Sequence, residues 1–551
     1  MKNEFQKFFG NLVIDQIKHT IFENMSKYQL GTKPGHRAQE HLFVLKSAIS
    51  LYTKYDRPLI LTLWDIRKYF DSECLVDVMN ELYRNGVHGK PYRLLYLMNR
   101  NVRIRVHTPV GPSKEKDVGE TLRQATVDGA ITSAVSLDNS VRDFFARSDN
   151  EVQYFGIKLG PLLFQDDVAR LALDIDSAQS ANERMRNVAE TKLLDFNLAK
   201  SCYIVFGPKQ RRHKMHKLIS EQPLKMYGKE MTQERTAKYL GDYVSEKGLA
   251  DSVAVTVDKR KFLVNKAIYD IKAVLNDCRS HLPGGLVSGF DIWELAVVPM
   301  LLYNAETWQD ISKRTITELE NIQLKFARSV FAIGVGCPTP LLYSETGLIL
   351  MELRILQKKL NFLHHLENLP DTALAKEVLR VQTEQNLPGI VSECRQYLAK
   401  FEIFDLRAYS KAQFRKLIKA KILDLNKTRI VEQAKHKQYK KVDVNDLSSN
   451  DFRLKDYIRN LSATDARIKF RLASQMTQQI KMNFQSDRMH AESLWTCEGC
   501  SNLGVIGYRD TQQHILVCPA YTEFREGKDL SKDNDLVNYF KQVLKLRAIN
   551  S

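Results

Sequence analysis

The chain has 551 residues, of which 44% are hydrophobic and 27% charged, so it is long enough for about two to four compact units and too apolar for wholesale disorder. Its 82 Lys and Arg against 65 Asp and Glu leave a net charge of +17, an excess that favours a polyanionic partner because each neutralised phosphate releases counterions. No apolar run approaches the roughly 18 to 20 residues of a membrane span, and "MKNEFQKFFGNLV" lacks the pattern of a signal peptide. Five cysteines (Cys74, Cys202, Cys278, Cys337, Cys394) stand alone like reduced thiols, so an intracellular setting without a membrane partner is expected.

The first 58 residues read as helical, with apolar spacing in "FFGNLVIDQIKHTIF", a Gly/Pro break at "LGTKPGHR" and a second helix through "EHLFVLKSAISLYTKY". Between Leu59 and Phe206 the runs "LILTLWDI", "VRIRVHTPV", "PLLFQDDV" and "SCYIVFG" read as strands. They alternate with the helical stretches "DVMNELYR", "VSLDNSVRDFF" and "ANERMRNVAETKLLDF", which makes an α+β segment. From about residue 250 the pattern is helical. Apolar residues at 316, 319, 322, 326, 330 and 333 define one helix, with Thr315 and Glu318 placed for a capping box and Gly334 for a stop. Near 411–425, Phe414, Leu417, Ile418, Ile422 and Leu425 share a face. Residues 411–441 carry eleven Lys or Arg and only two acids, Asp424 and Glu432, which reads equally as a solvated face or as phosphate contact.

Two places concentrate carboxylates where apolar runs end. Asp65 closes "LILTLW", and Asp166–Asp167 in "FQDD" is the one adjacent Asp pair of the chain. Taken singly, each reads as a turn residue or helix cap. Taken together they offer the hard oxygen donors that Mg²⁺ uses in phosphoryl transfer, where paired ions about 4 Å apart activate a hydroxyl and stabilise a leaving oxygen.

These segments resemble those of the reverse transcriptases of non-LTR retrotransposons. "DIRKYFDS" is similar to the family's D-x-x-K-A-F-D motif, "FQDD" to its F-A-D-D box, "QLGTKPGHRAQEHLFVL" to its fingers segment, and "LLDFNLAKSCYIVFG" to the N-x-x-K-S motif that follows the Asp-Asp hairpin. "AKYLGDYVSEKG" resembles the strand turn before the thumb, and "VVPMLLYNAETWQDI" and "LENIQLKFARSVFAIGVGCPTPLLYSETG" resemble thumb segments. The resemblance implies an α+β right-hand polymerase: partial fingers at 1–58, a palm with an antiparallel sheet at 59–245, a helical thumb at 246–400, a basic helical linker at 401–490, and a zinc knuckle with a C-terminal helix at 491–551. It implies RNA-directed DNA synthesis with an RNA template, a DNA primer and dNTPs as partners, in the nucleus. Asp65 and Asp166 would hold two Mg²⁺ ions with Asp167 in support, and the Ile66 carbonyl would complete one coordination shell. Phe70 would exclude a ribose 2′-OH, Gly129 would lie in the nucleotide loop and Lys200 near the triphosphate.

The segment "TVDGAITSAVSL" departs from the family's R/K-Q-G-x-x-x-S-P-L loop. Gly129 and Ser133 fit, but Asp128 stands for Gln and Ala134 for Pro, and an extra carboxylate beside a triphosphate would repel it. The family's N-Y-R-P-I strand is not found upstream of "FGNLVIDQI", and neither of the family's endonuclease types is recognised. A catalytically inactive, truncated remnant that only binds nucleic acid is therefore the alternative expectation.

Near the C-terminus, Cys497, Cys500, His514 and Cys518 form C-x2-C-x13-H-x3-C. The first pair makes a knuckle and the second places its ligands one helical turn apart, a set that closes a tetrahedral structural Zn²⁺ site; a disulfide is the alternative. With "CPAY" it resembles the zinc knuckle that follows the thumb in many of these elements.

Overall fold

The computed structural model describes residues 4–101, 103–117, 127–145, 152–277, 281–437, 442–477, 480, 496–505 and 507–550. Cys278 and residues 438–441 of the basic stretch lie outside the described residues, as does the side chain of Phe70. The chain is a mixed α+β protein whose sheet pairing is largely antiparallel. It divides into two compact units: Met1–Thr256 with Asn304–Ser312 and Lys358–Phe414, and Val257–Tyr303 with Lys313–Gln357 and Arg415–Ser551.

The first unit is built on a five-stranded sheet. Its strands are β1 (Leu59–Trp64), β2 (Leu162–Phe164), β3 (Asp167–Ala172), β4 (Cys202–Phe206) and β5 (Thr232–Gln233), in the order β5-β4-β1-β3-β2. β1 is central and pairs antiparallel with β4 (Leu61↔Ile204) and β3 (Leu63↔Ala169). All six of its residues are buried, so it is a continuous apolar run rather than an alternating one. The helices Val127–Phe145 and Ile175–Lys192 supply Leu137, Val141, Phe145, Met185 and Val188 to the core that also takes Trp64 and Val168. The helix Glu4–Asn24 buries Val13, Ile14, Ile17 and Ile21 in a second core, which Ile131, Ala134 and Val135 join.

Two local expectations change here. The helix Val127–Phe145 begins eight residues before the expected Val135, so Gly129 and Ser133 lie in helix rather than loop. The cause is that its apolar residues serve both cores, one on each side. "VRIRVHTPV" forms only the short strands Arg103–Ile104 and His107–Thr108, and the described residues around them are mostly exposed, so no core face holds a longer strand.

The segment Asn304–Ser312 is fixed within the first unit by a buried ion pair. Lys46 Nζ lies 2.6 Å from Asp242 Oδ2 and donates to Thr307 Oγ1 at 2.9 Å, while Trp308 Nε1 donates to Asp242 Oδ1 at 3.3 Å.

Beyond isolated bridges, the regular secondary structure among the described residues of the second unit is helical. Trp293 stacks on Phe326 with centroids 4.3 Å apart, and Phe331 stacks on Phe470 at 4.0 Å. The helix Lys313–Phe331 starts before Thr315 and stops before Gly334, with Ala332 in the left-handed region at φ 51°. Glu318 does not cap; it pairs with Lys261. No helix among the described residues is long and apolar enough to cross a membrane.

Candidate functional site

The sheet brings Asp65 to the Asp-Asp pair. Trp64 pairs with Val168, and that register continues to set Asp65 beside Asp167. Asp166 occupies the two-residue turn between β2 and β3, where Phe164 pairs with Asp167. Desolvation and then the Asp65 carboxylate raise Asp166 above the usual carboxylate range. Asp167 is exposed at the start of β3. Desolvation there, followed by Asp166 and Asp65, pushes it up to about 6, against the pull of Lys238.

Asp65 is held from behind by "NLAKS". Its N–H donates to Ser201 Oγ at 3.0 Å, and its carbonyl accepts from Asn197 N–H at 2.8 Å. Lys200, in the same turn, places Nζ 4.0 Å from Asp65 Oδ2 on an exposed surface, where solvent screens the pair. Ile66 is buried and bridges to Phe196. The backbone of Phe70 lies in the short helix Tyr69–Ser72. Tyr69 donates its hydroxyl to the Ser133 carbonyl at 2.7 Å and feels the Asp166 carboxylate, which links the helix Val127–Phe145 to this neighbourhood. Gly129 lies in that helix's first turn, its carbonyl accepting from Thr132 Oγ1 at 3.2 Å. Asp128 is buried and accepts from Asn99 Nδ2 at 3.1 Å, held in the helix packing.

Asp166 and Asp167, raised first by desolvation and then by neighbouring carboxylates, are hard donors that suit a divalent cation, whose charge would relieve the repulsion between them. Their donor atoms are not drawn into a tight set. Among the described residues, the one group of three or more His, Cys, Asp or Glu whose ligand atoms all lie within 4.8 Å of one another is Cys497, Cys500, His514 and Cys518.

Sequence reasoning assigned no role to Gln29, Asn197 or Ser201, although all three sit in the quoted motifs. Gln29 is fully buried, and its side-chain oxygen accepts from the N–H groups of Gln165 at 3.1 Å and Gly31 at 2.9 Å.

The Cys/His group is built by short-range folding. The helix Glu498–Asn502 carries Cys500, and Cys497 is its N-cap. Thr511 caps the helix Gln512–Val517, its hydroxyl accepting from the His514 N–H at 3.1 Å. Gly499 is required between the thiols, because a Cβ there would lie 2.8 Å from both Ala520 Cβ and the Tyr521 hydroxyl. The Cys497 and Cys518 sulfurs are 3.7 Å apart, those of Cys500 and Cys518 3.4 Å, and Cys500 Sγ is 3.1 Å from His514 Nε2. Two thiolates about 2.3 Å from one tetrahedral ion stand about 3.8 Å apart, whereas a disulfide needs about 2.05 Å. The donor set therefore fits zinc, with Nε2 as the imidazole ligand atom. Arg547 adds a cation beside it: its guanidinium lies 3.7 Å from Cys497 Sγ, bonds both oxygens of fully buried Asp510 at 2.7 and 3.1 Å, and donates to the Tyr521 hydroxyl at 3.0 Å. Three thiolates and a divalent ion leave one negative charge, which faces the guanidinium at Cys497, while the guanidinium's own charge is matched by the Asp510 carboxylate.

No protein-family model and no curated protein matches the chain. Among solved structures it is weakly similar to telomerase from Candida albicans in complex with a fragment of telomeric RNA, with 12% identity and a TM-score of 0.30. The match covers 73% of this chain and 55% of that one, so the chain spans about half the telomerase's length.

Proposed function

We propose that the chain is an RNA-directed DNA polymerase of the non-LTR retrotransposon type, which extends a primer 3′-OH on an RNA template. In this reading, residues 1–58 are partial fingers, 59–245 the palm, 246–400 the thumb, 401–490 a basic linker and 491–551 the zinc knuckle. The observation that carries it is the register that sets Asp65 beside the Asp166–Asp167 turn, across an antiparallel sheet and backed by Asn197 and Ser201. The order of the quoted motifs along the chain supports the same reading.

Two magnesium ions held by Asp65, Asp166 and Asp167 would supply Lewis-acid activation of the primer hydroxyl and charge neutralisation at the leaving pyrophosphate. The chain's own residues bind and orient. Two hydrogen bonds to its main chain fix the backbone of Asp65, so its Cα keeps its place at the end of β1. Lys200, exposed beside it, offers a mobile cation for a triphosphate. Ile66 would present its carbonyl, and Phe70 and Gly129 are the further residues that the motif resemblance assigns to the incoming nucleotide. Asp128 is buried and accepts from Asn99, so its carboxyl is engaged in the helix packing.

Primer extension on poly(rA) with oligo(dT), dTTP and Mg²⁺ tests the proposal. The parent chain extends, and Asp166→Ala lowers extension by more than about 100-fold, beyond the loss typical of partners outside a metal's ligand shell. RNA binding stays within a few-fold. Extension by Asp166→Ala at a rate near that of the parent refutes the assignment. Tight RNA binding by a parent chain that never extends favours the inactive-remnant reading instead.

A further inference from the structure

We infer that Gln29 is a positioning residue that locks the turn presenting Asp166, and that Gly31 must lack a side chain because the same turn presses against it. The inference rests on the polymerase reading of the three aspartates and adds to it a residue 136 positions away from the turn it holds.

The need for such a lock follows from the turn. Gln165 and Asp166 form a two-residue connection between β2 and β3, and Gln165 sits at φ 58°. That is the left-handed region, where side-chain-bearing residues other than Asn and Asp are uncommon and tight hairpins favour glycine. Gln165 immediately precedes Asp166, so its backbone sets the direction in which that carboxylate leaves the sheet. A strained residue at such a place persists where its surroundings over-determine it.

Gln29 provides that constraint. Its Oε1 accepts from the Gln165 N–H at 3.1 Å and from the Gly31 N–H at 2.9 Å, while Nε2 reaches the Gln165 carbonyl at 3.4 Å and that of Ala134 at 3.5 Å. Both main-chain polar groups of Gln165 thus meet one side-chain amide. The main chain on either side runs along β2: the Leu163 N–H donates to the Tyr28 carbonyl at 2.9 Å, and the Leu30 N–H donates to the Leu163 carbonyl at 3.0 Å. A Cβ on residue 31 would fall 2.3 Å from the Gln165 nitrogen, closer than any side chain tolerates. The "QLG" stretch is therefore shaped to the hairpin by an amide on one side and an absent side chain on the other.

A buried, satisfied glutamine that only stabilises the core would change melting and nothing else. A positioning residue changes how tightly the aspartates hold a cation. The full-length chain is titrated with Mn²⁺, with free Mn²⁺ read by electron paramagnetic resonance, and primer extension is followed against Mg²⁺ concentration in parallel.

Gln29→Leu is expected to raise both half-saturation concentrations about tenfold or more, as loss of an outer partner of a metal ligand does, with primer–template binding within about twofold. Gln29→Glu, kept neutral by burial, retains an oxygen to accept both N–H bonds and a hydroxyl to donate to the Gln165 carbonyl, and should return the midpoints to within about threefold of the parent. Gly31→Ala should raise them in the same direction as Gln29→Leu. Midpoints for Gln29→Leu within about twofold of the parent, with or without a lower melting temperature, overturn the inference. Should Gln29→Leu fail to fold, the other two variants decide: a raised midpoint in Gly31→Ala beside a parental one in Gln29→Glu supports it, and any other pattern overturns it. Mn²⁺ binding by the parent that is indifferent to Asp166→Ala removes the metal site itself, a failure of the polymerase reading that is separate from any failure of Gln29.

Discussion

Glu73, eight residues after Asp65, is a carboxyl buried to 2% exposure. Burial pushes it up to about 7, against the opposing pull of the Lys192 ammonium. A carboxyl whose folded pKa lies above its unfolded value binds its proton more tightly in the native state, so its favourable contribution is present at low pH and is lost as pH rises from about 4.5 toward 7. Glu73→Gln should flatten stability across that window and stabilise the chain at pH 8 by about 1–3 kcal/mol, measured by urea unfolding at several pH values. A parental slope in the variant would contradict this assignment. At this scale the sequence is uneven. Asp65 and Asp166–Asp167 are legible because carboxylates ending apolar runs are conspicuous. Asp128 reads from the sequence as a charge facing a triphosphate, yet it is buried on Asn99, because the helix extends past the point where local apolar spacing announces it.

At the scale of elements, β1 and β4 were readable because they are buried apolar runs, whereas "PLLFQDDV" reads as one strand and is broken by the Gln165–Asp166 turn into β2 and the start of β3. "VRIRVHTPV" has the same β-branched composition and forms only fragments, since composition suits a strand but a core face must hold it. The Lys46–Asp242 pair joins the helix Ala38–Lys54 to the hairpin Thr236–Ser245 and the segment Asn304–Ser312. Lys46→Met leaves the Asp242 carboxylate buried without its cation and should cost about 3–5 kcal/mol. Replacing both, as Lys46→Met with Asp242→Leu, should cost clearly less, because no charge then remains to be desolvated. Denaturant unfolding of the two variants checks the order; equal losses would show that the charge is not what the pair supplies.

For the whole molecule, two compact units each with their own aromatic and aliphatic core make a local loss of structure possible without global unfolding. Zinc removal is the direct test. Chelation should strip amide protection from residues 496–547 while β1, β3 and β4 keep theirs, and Arg547→Met should weaken zinc retention about 10- to 100-fold against a competing chelator. Unchanged protection of 496–547 in chelator would mean that packing, not metal, holds the knuckle. The sequence by itself determined what acts over a few residues: helical and strand periodicities, the C-x2-C and H-x3-C spacings, the excess of positive charge, and the apolar runs that end in aspartate. Only the tertiary structure decided which of these meet. It paired Trp64 with Val168, brought Gln29 to Gln165, returned Asn304–Ser312 to the first unit and set Arg547 against Cys497. The physical reason is range. Backbone propensity and side-chain spacing are settled within a turn or two, whereas burial and hydrogen bonding act between whatever the fold places a few ångströms apart, however distant along the chain.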